Sequence, residues 1–120
     1  MRPAWLCLLV LPCACGGPDD RPARWSYIYP AVIQPSCATA GCHSKLTRTA
    51  GLELESAAES YSVLVGPDGT GNLVVPGQPD QSKLMFLLRG VETRRMPPDG
   101  PLPDADIRLV ERWILDGAPP

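Results

Sequence analysis

Cys37-Ala38-Thr39-Ala40-Gly41-Cys42-His43 holds the only histidine of this 120-residue chain, directly after one cysteine and a short loop after another. Two thiols beside an imidazole form a binding set. The sulfurs can add across the two vinyl groups of a haem as thioethers while the adjacent imidazole ligates the iron. In the common C-x-x-C-H spacing the sulfurs stand at i and i+3, on one side of a helical turn. Here four residues intervene. At about 100° per residue, a continuous helix would carry the two sulfurs about 140° apart. The segment therefore has to loop, and Gly41 with the small Ala38 and Ala40 permits a bulge.

Three other uses of the same residues stay open at this point. Thr39-Ala40-Gly41-Cys42-His43 has the regular spacing with Thr39 in the place of the first cysteine, so Cys42 alone can carry the haem. Cys37 and Cys42 can instead close a small disulfide loop in an oxidising compartment. A structural zinc site asks for about four ligands, and Cys37, Cys42 and His43 supply three, because Cys7, Cys13 and Cys15 all fall near the N-terminus.

That N-terminus predicts export. Arg2 precedes the apolar run from Ala4 to Leu11, which is shorter than the about 20 residues of a membrane span and suits a signal peptide. Cys15 follows Ala14 and precedes Gly16-Gly17, the surroundings of a bacterial lipoprotein cleavage site, although Pro12 and Cys13 depart from the usual residues. The expected organisation is a signal peptide of lipoprotein type over 1–15, with lipid on Cys15, a linker over 16–24 and one domain over 25–120. Loss of Arg2 with the leader reduces 11 basic residues to 10, against 13 acidic ones, so the mature chain is near −3. That balance gives no footing for nucleic-acid binding.

Fifteen prolines limit helix length and favour short helices joined by loops. Helical spacing predicts four segments. Ser26 to Gln34 carries Ile28, Val32 and Ile33, with Pro30 in its first turn. Ser56 to Val65 carries Tyr61 and Leu64 and ends at Gly66-Pro67. Asp80 to Leu88 is almost wholly apolar after Leu84 and closes at Gly90. Asp104 to Asp116 shows Ile107, Val110 and Ile114 along one stripe, with Leu109 and Trp113 beside it and Gly117 at its end. No alternating strand pattern competes, so the fold class is mainly α.

Between the last two helices runs Arg94-Arg95-Met96-Pro97-Pro98. Met96 lies on no apolar helical face, and the two prolines stiffen the loop that presents its sulfur. A methionine opposite histidine raises the potential of a c-type haem and favours electron transfer. Met85, among Leu84, Phe86 and Leu87, reads as core. Arg94 and Arg95 are either partners for haem propionates or solvated side chains.

Taken together, Cys42-His43 after a short helix, Val75-Pro76-Gly77-Gln78-Pro79-Asp80-Gln81-Ser82-Lys83-Leu84, then Met96-Pro97-Pro98, and Leu102-Pro103-Asp104 leading into Trp113-Ile114-Leu115-Asp116-Gly117-Ala118 resemble small class I cytochrome c domains. The likeness is to the variants common in planctomycete and myxobacterial exported proteins, and it spans Trp25 to Ala118. It implies about four short helices around one covalent haem c, attached through Cys37 and Cys42, with His43 and Met96 as axial iron ligands. It further implies that Ile28 or Val32 meets Ile107, Val110 or Trp113, and that the Leu84 to Leu88 helix covers the haem's other flank.

The expected function is an exported, periplasmic or cell-envelope carrier of single electrons between redox protein partners, held to the membrane through Cys15. An enzymatic role such as a peroxidase is disfavoured, since no second histidine provides distal acid–base chemistry. The alternative is a haem-free exported lipoprotein, a binding or structural module stapled by a Cys37–Cys42 disulfide.

Overall fold

Two prolines inside one helix shape the first element. In the computed structural model, which describes residues 19–66, 69 and 73–120, α1 spans 25–37 in three parts: α-helical Trp25–Ile28, π-helical Tyr29–Ile33 and α-helical Gln34–Cys37. Pro30 and Pro35 each lack the N–H that an α-helix would use. The helix absorbs them by widening, so that the Gln34 N–H reaches back to the Tyr29 carbonyl. The helix thus starts earlier and ends later than the spacing predicts, with Pro30 in its interior rather than its first turn.

Three further helices follow. α2, Ala57–Leu64, is capped by Ser56, whose Oγ accepts from the Glu59 N–H at 3.4 Å. α3, Lys83–Arg89, starts three residues later than expected and ends one later. Asp80 belongs instead to a separate 3₁₀ turn, Pro79–Gln81. The break lies at Ser82, whose buried hydroxyl accepts from the Val75 N–H (2.9 Å) and donates to the Gln78 carbonyl (2.9 Å), so it does not cap α3. α4, Asp104–Leu115, starts as the sequence predicts and ends one residue earlier, with Gly117 in its expected place after the helix at φ 94° and Ala118 N–H bonded to the Trp113 carbonyl at 2.9 Å. The described residues contain no strand, and the fold is mainly α.

The core joins the two ends of the domain. Trp25 stacks on Trp113 with ring centroids 5.3 Å apart, and Tyr29 and Tyr61 pack against Trp25 at 5.5 and 5.7 Å. Their polar atoms are all used. The Trp113 Nε1–H and the Trp25 backbone N–H both donate to the Pro119 carbonyl (2.8 and 3.1 Å), the Tyr61 hydroxyl to Ala118 (2.8 Å), and the Trp25 indole to Ala57 (2.8 Å). Ile28, Val32, Leu109, Val110 and Ile114 lie in the same buried cluster. Ile107, expected on the buried stripe, is only partly covered.

Part of the expected linker is docked. Arg112 donates to the carbonyls of Asp19 (2.9 Å) and Arg21 (2.5 Å), and Arg21 pairs with Asp106 (2.5 Å) and Asp19 (2.8 Å). Residues 19–24 are therefore not a free tether. The leader, with Cys7, Cys13 and Cys15, lies outside the described residues, as do residues 16–18 and Pro67.

Trp113→Ala should cost about 3–5 kcal/mol in denaturant unfolding, whereas Leu115→Ala, at an exposed position, should stay within about 0.5 kcal/mol. The second measurement concerns acid. Hydrogen bonds from Arg21 hold the Asp19 carboxyl down at about 2, below its ordinary 3.8. A lowered carboxylate contributes above its unfolded value and loses that contribution as pH falls from 3.8 toward 2. Since the Arg21 amide donates to Asp19 Oδ1, its exchange protection should fall across that window, and Asp19→Asn should lower it already at neutral pH.

Candidate functional site

The first helix delivers Cys37 and then stops, because Ala38 leaves helical geometry at φ −87°, ψ 21°. The chain doubles back. Cys42 N–H bonds to the Thr39 carbonyl at 2.9 Å, and His43 N–H bonds to the Cys37 carbonyl at 3.1 Å. This second bond closes the loop at its base, while Thr39, Ala40 and Gly41 are exposed and Cys37, Cys42 and His43 half-buried. Ser44, buried, ties the bulge down. Its Oγ donates to the Ala40 carbonyl at 3.1 Å, and the Thr47 hydroxyl donates to the same oxygen. The loop required by the long spacing is thus a fastened structure. Cys37 and Cys42 are not joined to each other across the bulge.

His43 is oriented from the next turn. Its Nδ1 lies 3.0 Å from the Thr49 carbonyl oxygen. A carbonyl can only accept, so Nδ1 carries the proton and Nε2 keeps its lone pair for a metal. The Thr49 carbonyl is presented by an unusual backbone, since Arg48 (φ 44°) and Ala50 (φ 57°) both adopt left-handed conformations without being glycine. Such positions are costly and concentrate at functional sites. The strap behind them is anchored twice, by Leu54 N–H to the His43 carbonyl (2.7 Å) and by the Tyr29 hydroxyl to the Leu54 carbonyl (3.0 Å).

The facing wall comes from α3 and the loop after it. Gly90, at φ 66°, ends the helix, and a side chain there would bring its Cβ within 3.0 Å of Arg95 Cβ. That close approach lets the loop return along the helix, where the Met96 N–H bonds to the Leu87 carbonyl at 2.8 Å. Met96, half-buried, precedes a cis peptide bond to Pro97.

Between these walls lies a cleft of about 480 Å³. Cys37, Cys42, His43 and Met96 all line it. So do Leu52, Leu54, Leu64, Leu84, Leu87 and Leu88. Met85, 1% exposed, is core and does not border the cleft. The adjacent arginines separate. Arg94 lines this cleft, and Arg95 lines a smaller groove of about 320 Å³ against α4. Burial, reinforced by the neighbouring Cys42, pushes the Cys37 thiol up to about 11, so it stays protonated at neutral pH. An aliphatic slot with two thiols, an imidazole nitrogen free to bind metal and a thioether is the donor set that a c-type haem requires.

Sequence reasoning missed three contributors: Ser44, the Thr49 carbonyl and Lys83, which also lines the cleft. The Ser44 and Thr49 roles depend on backbone contacts that no residue pattern carries. Ala50→Val should cost about 1–3 kcal/mol because a β-branched side chain resists the left-handed backbone, and it should weaken the His43 Nδ1 bond, visible as faster exchange of that imidazole proton. Ala50→Gly should leave both nearly unchanged.

The family model for planctomycete cytochrome C matches residues 40–100, just over half of the chain, which includes Cys42, His43 and Met96. No curated protein and no solved structure matches the chain. Cys37 and the Trp113 to Ala118 run lie outside the matched span. With His43 and Met96 on one apolar cleft and the family match across both, the chain belongs to the planctomycete cytochrome c family.

Proposed function

We propose that this protein is an exported carrier of single electrons that holds one haem c, attached through Cys37 and Cys42 and ligated by His43 and Met96. The observation that carries this reading is the convergence of those four residues, drawn from α1, the bulge and the loop after α3, on one aliphatic cleft. The haem, when bound, supplies a one-electron iron couple whose potential depends on its axial ligands and burial.

The chain's own residues do the rest. Cys37 and Cys42 would hold the group by adding S–H across its two vinyl groups, an addition that needs no external oxidant. The His43 N–H to Cys37 carbonyl bond supports attachment at both cysteines, because it brings the base of the long loop together and extrudes Thr39-Ala40-Gly41. The Thr49 carbonyl holds the imidazole in one tautomer. Met96, positioned through Leu87, offers the thioether that favours electron transfer. The lone histidine is committed to the iron, which leaves no distal imidazole for peroxide chemistry. The apolar run before Cys15 supports export with a lipid anchor on Cys15, a leader over 1–15 and a haem domain over 25–120, against which residues 19–24 of the expected linker are docked. Donor and acceptor are redox proteins.

Intact-mass measurement of protein matured with haem-attachment machinery tests the reading. Wild type should carry one haem mass, Cys42→Ala should lose it, and Cys37→Ala should retain part through the remaining thioether. A wild-type chain without haem mass removes the proposal. For the axial ligand, Met96→Ala should lower the reduction potential and abolish the ferric sulfur-to-iron absorption band. Met85→Leu should cost under about 1.5 kcal/mol and keep the band. Survival of the band in Met96→Ala would reassign the ligand.

A further inference from the structure

The cleft is selective in charge as well as shape. Among its described lining residues there are two cations, Lys83 and Arg94, and no Asp or Glu, in a chain whose formal charge is −2. Neither cation has a carboxylate at salt-bridge distance among the described residues, which is also true of Arg24, Arg95, Arg108 and Arg112, so it is their place in the cleft lining that sets Lys83 and Arg94 apart. Both come from the wall formed by α3 and its following loop. The segment that brings Cys37, Cys42 and His43 contributes no cation to the lining.

A haem has two chemically different edges. Its vinyl groups must lie at the cysteines, and its two carboxylates leave from the opposite edge. Lys83 and Arg94 both line the cleft while remaining exposed, so a carboxylate that reaches them lies at its mouth, where an ammonium or guanidinium pairs with it through a charge-assisted hydrogen bond. We propose that Lys83 and Arg94 receive the two haem propionates and so set part of the haem's potential. The inference rests on the haem reading above. It divides two neighbouring arginines by role: Arg94 binds the cofactor, and Arg95, against Pro101 and Ile107 in the other groove, does not.

The sign of the effect follows from charge. A propionate that loses its cation presents uncompensated negative charge to the iron, which favours the ferric state. The test uses the full mature protein with covalent haem, confirmed by intact mass, at fixed pH and ionic strength. Arg94→Gln and Lys83→Gln should each lower the ratio of reduced to oxidised iron at a given applied potential by up to about tenfold, ~59 mV for a one-electron couple. Each should also shift the resonance Raman propionate-bending band, which reads carboxylate contacts directly. Arg94→Lys should restore most of the potential. Arg95→Gln should leave both signals at their wild-type values. Haem-loaded Arg94→Gln and Lys83→Gln with an unmoved propionate band overturn the proposal, as does Arg95→Gln moving the band as far as Arg94→Gln. Absence of haem mass on wild type would instead sink the haem reading itself, so the two failures are distinguishable.

Discussion

The stack of Trp25 on Trp113 is the contact on which the remainder of this fold depends. No described helix is longer than 13 residues, and helices this short are marginal by themselves in water. They hold because the first and last are joined through two indole rings, and because the carbonyls of Ala118 and Pro119 take hydrogen bonds from Tyr61, Trp25 and Trp113. A closed frame at the chain ends lets the segments between them serve as walls rather than as core. The cleft uses that freedom, and α4 contributes none of its lining.

The walls themselves are built from interruptions. Each residue with a proposed role toward haem lies at or beyond a helix end: Cys37 where α1 stops, His43 in the fastened bulge, Lys83 at the start of α3, and Arg94 and Met96 after Gly90. Helix ends leave backbone groups unpaired, and here several are used for positioning. The Cys37 carbonyl closes the bulge and the Leu87 carbonyl holds the Met96 loop. The proline richness of the chain serves this design, since frequent breaks place many side chains at helix ends facing one slot.

Much of the site was legible because its chemistry is carried by rare residues. The single histidine beside Cys42 and a methionine set among prolines stand out from any packing pattern, and Met85, within an apolar helix, is correctly core. Gly90 and Gly117 marked helix ends because the left-handed backbone there favours glycine. The beginnings of helices were less legible. Helical spacing places Trp25 outside the first helix although it anchors the molecule, because one residue before a periodic run carries no phase of its own. Ser82 hid the break before α3, since its hydroxyl is spent on the Val75 and Gln78 backbone instead of on a cap.

By itself the sequence determined the helical class, the identity of the candidate donors and the need for a loop between Cys37 and Cys42, because these follow from residue chemistry and local periodicity. Only the tertiary structure decided how that loop closes, which carbonyl orients His43 and which of two adjacent arginines faces the cleft. Those outcomes depend on backbone groups brought together by Ala38, Gly90 and the left-handed turn at Arg48 and Ala50. Neighbours in sequence such as Arg94 and Arg95 have nearly identical chemistry. What separates them is the direction of the chain as it passes Gly90, so close that an added Cβ there would meet Arg95 Cβ at 3.0 Å, a property of packing in three dimensions.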